Sequence, residues 1–179
     1  VTLLLRAQEQ TGDSLAYATA VRDHAGLWHP HHVLFGPLMA AVGQLLQAAH
    51  VQVEIVTVGQ IVNTSCATSI IYVFFRNLTA CGLRKYIVAP LAAMLAISHS
   101  FWAYATQFEV YLVPSLLATM LCFGAMRQRA TRAFAVRTAL LVASAILFHQ
   151  VSALLLVPLI GVAVVERAKT SLRISITTV

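Results

Sequence analysis

Apolar residues in this chain fall in long unbroken blocks, not in the two-residue alternation of a strand or the narrow stripe of a soluble helix. No Asp, Glu, Lys or Arg interrupts 55–75, 86–108, 110–126 or 138–165. A helix crosses the hydrocarbon of a bilayer in about 20 residues rising about 1.5 Å each. In that medium every backbone N–H and C=O must be paired within the segment, which favours helices over open strands. A membrane barrel would instead show alternating segments of roughly ten residues, and none is visible. The pattern predicts an all-α fold, a polytopic transmembrane helical bundle with membrane helices over 55–76, 86–105 and 108–126.

Two blocks fit less simply. The stretch 138–165 exceeds one span, so a helical hairpin over 134–166 turning near His149-Gln150 is expected, with a single long helix as the alternative. The stretch 33–49 is apolar but short and carries Gly36, Pro37, Gly43, Gln44 and Gln47. It is read as a juxtamembrane or re-entrant helix within an external loop over 6–54. Residues 1–5, Val-Thr-Leu-Leu-Leu, are read as the end of a first membrane helix, and the whole as one membrane-domain fragment of a longer protein.

Composition agrees with the pattern. Hydrophobic residues make up 59% of the chain and charged residues only 10%, against about 25% in an ordinary soluble domain. Too few charges remain to cover a water-facing surface. The net charge of +6 does not point to nucleic acid, because the basic residues sit in short loops between apolar blocks. These clusters are Arg76, Arg84 and Lys85, then Arg127, Arg129, Arg132 and Arg137, then Arg167, Lys169 and Arg173. Basic loops mark the cytoplasmic side, so the cell (inner) membrane with multiple passes is the expected location. All seven histidines and five of the six acidic residues then fall outside. Cys66, Cys81 and Cys122 lack metal-site spacing and read as small thiols in or beside apolar runs.

The external segments hold the candidate chemistry. Gly12-Asp13-Ser14 suits the start of a helix, so Asp13 reads as a helix cap and also as a general base at the membrane–water boundary; the two roles are compatible. His29, His31 and His32, with His24 nearby, are positioned to bind a phosphate or a metal or to serve a structural role, with Pro30 bending the loop. Trp102 and Tyr111 suit an interfacial aromatic belt. Glu109 is either paired in its apolar setting or solvated at a helix start, where the dipole favours an anion.

These residues resemble the GT-C class of membrane glycosyltransferases, specifically protein O-mannosyltransferases and a related bacterial family. Asp13 and His29-Pro30 match in kind and order an acidic residue in the first external loop and a later His-Pro motif. Trp102, six intervening residues and Glu109-Val110-Tyr111 match a second motif. His149 ahead of an apolar run ending in Pro158 matches a third loosely. The resemblance covers roughly 12–158. Departures are Ser14 where the mannosyltransferases have a second acid, and His31-His32 after His-Pro. It implies inverting transfer of a sugar from a polyprenyl-phosphate carrier to an external hydroxyl of a protein or glycan, with Asp13 as base. It also implies contacts to the lipid phosphate or acceptor from Arg22, His29, His31, His32, Trp102, Glu109 and Tyr111. No cofactor or metal ligand is assigned, and a divalent metal stays open. The competing readings are a multi-pass transporter, which uses broken helices and polar groups at the membrane midplane, and a noncatalytic membrane assembly subunit.

Overall fold

A computed structural model describes residues 10–127 and 132–161, and these are all-helical with no strand. The expected end of a first helix at 1–5, the last basic cluster and the final residues of the hairpin lie outside the described residues.

α1 (Gly12–Arg22) starts where Thr11 caps it, its Oγ1 accepting from the Ser14 N–H at 3.1 Å. Asp13 in the first turn and Arg22 in the last complement the helix dipole. Asp13 is therefore not the cap; the Thr11 hydroxyl takes that place and leaves the Asp13 carboxylate free to face outward. The helix buries Ser14, Ala18 and Val21, a stripe at four- and three-residue spacing. It ends at His24 in a left-handed conformation, φ 51°.

α2 (Phe35–Ala48) buries Phe35, Met39 and Ala40 against α1. Gly36 lies against the Leu27 carbonyl, which a Cβ would strike, so the α1–α2 loop folds tightly over the start of α2.

α3 (Ile55–Ala80), 26 residues long, is the helix around which the others gather. It touches α1, α2, α4 (Lys85–Ile97), α5 (His99–Thr106) and α6 (Leu112–Arg127). Among the described residues α3 is the one helix that is by itself long and apolar enough to cross a membrane. The expected single helix over 86–105 is instead two, α4 and α5, bent by 60°. At the break Ser98 is extended, and its hydroxyl bonds the Leu95 carbonyl at 2.9 Å, competing with the helical ladder.

The helix expected from 108 begins only at Leu112. Residues 107–111 stay non-helical, with Gln107 extended, because the polar face of α3 captures the carbonyls of Gln107 and Glu109. Asn63 Nδ2 donates to the carbonyls of Gln107 and Glu109, each at 2.8 Å. Gln60 Nε2 donates to Thr106 O and the Thr64 hydroxyl to Ala105 O, both at 2.9 Å. These bonds satisfy the carbonyls that the end of α5 leaves unpaired. The Phe108 ring packs directly on Gly59, where any side chain would collide with it.

α7 (Arg132–Phe148) pairs with α6 and stops at His149, which caps a 3₁₀ turn (Gln150–Leu155). A break therefore falls where the hairpin turn is expected.

Candidate functional site

Thr11, in capping α1, also donates from its hydroxyl to Glu109 Oε1 at 2.8 Å, and the Ser14 hydroxyl donates to the same oxygen at 3.0 Å. The backbone of Glu109 is meanwhile held by Asn63. Glu109 is only 5% exposed, so of its two expected settings the paired one holds: it is a buried strut tying the N-terminus of α1 to residues 107–111. Gln10 strengthens the tie, accepting from the Phe108 N–H at 3.0 Å.

Asp13 is exposed on the first turn of α1, one residue before Ser14. Four residues on, Tyr17 shares its side of the helix. Tyr17 and Tyr111 both lie within electrostatic reach of the two acidic side chains. Burial raises the phenol pKa of Tyr17, with Asp13 adding to the effect; burial and then Glu109 do the same for Tyr111. Both phenols remain protonated donors at neutral pH.

From Tyr17 the site passes into imidazoles. The Tyr17 hydroxyl lies 3.1 Å from His32 Nε2. The His32 ring stacks on His29 at 5.3 Å and meets His149 at 4.7 Å between centroids. His31 lies 5.3 Å from His29. Tyr111 closes the circuit against His149 at 5.0 Å, with Tyr104 behind it at 4.9 Å. The α1–α2 loop is fastened to the end of α7 by Leu34 N–H to Leu147 O, 3.0 Å, and Gln150 N–H to His31 O, 3.2 Å. Burial, followed by the neighbouring His149, His29 and His31, lowers the pKa of His32 to about 4. His32 is thus a neutral hydrogen-bonding group at physiological pH. Among the described residues no three His, Cys, Asp or Glu side chains converge as metal ligands, so the loop histidines are gathered without forming a metal site.

Tyr111 and His149 also stand at one end of an open groove of about 460 Å³ between α6 and the 3₁₀ turn, continued by Pro114, Ala118, Leu154 and Leu155. Its lining turns from polar to apolar along its length.

His29, His31, His32 and Tyr111 thus come together around His149, with Asp13 exposed within electrostatic reach of Tyr17 and Tyr111. Arg22 does not join them. It pairs with Asp23 at 2.8 Å and lines a separate cavity of about 510 Å³ between α1, α2 and the start of α3. Trp102, two residues from Tyr104 on α5, points to a different side of that helix, since two residues turn it by about 200°. Sequence reasoning missed Tyr17 and treated His149 mainly as a turn. The spacing of Asp13 and Tyr17 was an available signal for the first, whereas nothing local marks His149 as a partner of His32. Comparison with family models, curated proteins and solved structures returned no match.

Proposed function

We propose that this chain is part of a multi-pass membrane glycosyltransferase of GT-C type that moves a sugar from a polyprenyl-phosphate carrier to an acceptor hydroxyl on the external face. The observation that carries the reading is the meeting of an exposed carboxylate, two protonated phenols and four imidazoles at the polar end of an apolar groove. A lipid-linked sugar phosphate has that same polarity.

In the proposed reaction the acceptor oxygen attacks the anomeric carbon, its proton passes to the Asp13 carboxylate, and the bond to the phosphate oxygen breaks. The phosphate leaves on the lipid, where donors from Tyr111 and the histidines meet the charge that develops. Glu109 holds Thr11 and Ser14 and thereby positions Asp13. Multiple passes are supported by the charge-free blocks and by the large apolar side chains that α4, α7 and the final segment leave uncovered, among them Tyr86, Met94, Ile97, Leu140 and Val157.

The test is sugar transfer by membranes containing the full-length protein, offered a panel of polyprenyl-phosphate sugars, with Asp13→Asn beside wild type at equal protein level. Loss of about 100-fold or more in Asp13→Asn is expected for a general base. Unchanged transfer in that variant removes Asp13 from the chemistry. Absence of transfer by wild type overturns the enzyme reading in favour of a transporter or an assembly subunit.

A further inference from the structure

We propose that His29, His31, His32 and His149 form a receptor for a tetrahedral oxyanion carried on an apolar tail, and that occupying it draws a proton from solvent onto the imidazole cluster. The inference rests on the transferase reading only in naming the lipid phosphate as the natural occupant.

The backbone sets two of the tautomers. His149 Nδ1 accepts from the Val151 N–H at 3.2 Å, and His29 Nδ1 from the His31 N–H at 3.4 Å. A nitrogen that accepts carries no proton, so each ring presents Nε2–H as a donor. His32 is held by the Tyr17 hydroxyl and its ring touches those of His29, His31 and His149, while two backbone bonds fasten the loop to the end of α7.

The groups facing the cluster explain the proton coupling. Tyr17 and, beyond it, Asp13 approach from α1, Tyr104 from α5, and Tyr111 with Glu109 from the non-helical segment before α6. Among the described residues no Lys or Arg contributes to the shift of His32 or His149. Protonation is therefore disfavoured at His32 and His149, which burial and then the neighbouring imidazoles push downward. An anion among the rings reverses the sign of the local field and favours the imidazolium, which in turn strengthens its own binding. The groove beginning at Tyr111 and His149 supplies room for the tail.

Methyl sulfate and hexyl sulfate are suitable probes, since both stay singly charged between pH 5 and 8 and differ only in the tail. Binding to the full-length protein in detergent is followed by imidazole nitrogen NMR, which reads the protonation of each ring. Affinity is expected to rise toward a limit of about tenfold per pH unit as pH falls from 7 to 5, with an added proton seen on the cluster. Hexyl sulfate should bind at least about tenfold more tightly than methyl sulfate through apolar burial. His32→Gln and His149→Gln should each weaken binding and flatten its pH dependence, with thermal unfolding confirming that the variants are folded.

Binding that is absent, independent of pH, or unchanged in both variants overturns the proposal. Equal affinity for the two probes overturns the tailed ligand and assigns the cluster to a soluble anion. Proton-coupled binding in a protein that transfers no sugar sinks the transferase reading alone, and transfer with pH-independent binding sinks the coupling alone.

Discussion

Thr11 and the fully buried Ser14 share a single acceptor, the Oε1 of Glu109, which is itself 5% exposed. Removing that acceptor costs more than the bonds themselves are worth, because the buried Ser14 hydroxyl loses its carboxylate partner and the tie between α1 and residues 107–111 is lost. Glu109→Ala is therefore expected to destabilise the protein by about 2–4 kcal/mol, and Glu109→Gln by less, since an amide oxygen still accepts both hydroxyls. Thermal unfolding in detergent checks the order. Equal stability of Glu109→Ala and wild type would remove the strut. The same residues show what a linear reading can reach. Asp13 was visible as a first-turn carboxylate because helix-start chemistry is local. The burial of Glu109 was not, since its partners stand 95 and 98 positions away.

At the scale of elements, α3 was legible from its charge-free run, and α2 from a short apolar run between turn residues. The non-helical segment before α6 was not, because its conformation is decided across the fold. At the head of an apolar run 108–111 reads as helix, yet the carbonyls of Gln107 and Glu109 bond Asn63, which sits on α3 with no exposed surface. Asn63→Leu keeps the bulk and removes both donors. A net loss of about 2 kcal/mol is expected from two neutral hydrogen bonds, or more if the buried carbonyls stay unpaired. Hydrogen exchange should rise at Phe108, Val110 and Tyr111 more than along α3 itself. Uniform destabilisation without local acceleration would mean that α5 and α6 fix the segment and Asn63 merely fills space.

For the whole molecule the question is which side each end of the bundle faces. The described acids, Asp13, Asp23, Glu54 and Glu109, lie within or beside the end that carries the histidine cluster. Arg76 and Arg84 flank the α3–α4 turn, each over a tyrosine, Tyr72 and Tyr86, at 5.7 and 5.9 Å. In a bilayer such a cationic–aromatic end is favoured at a headgroup surface on the cytoplasmic side. Cys81 is an exposed native reporter at that turn, and Ala25 is an exposed position in the α1–α2 loop. In full-length protein carrying Cys66→Ser and Cys122→Ser, a membrane-impermeant maleimide applied to sealed right-side-out vesicles should leave Cys81 unlabelled. With Ala25→Cys added, labelling should appear, and permeabilisation should then release Cys81 to react. Labelling of both positions before permeabilisation would place the two ends of α3 on one side. That result would remove the external donor site and with it the argument for a lipid-linked sugar.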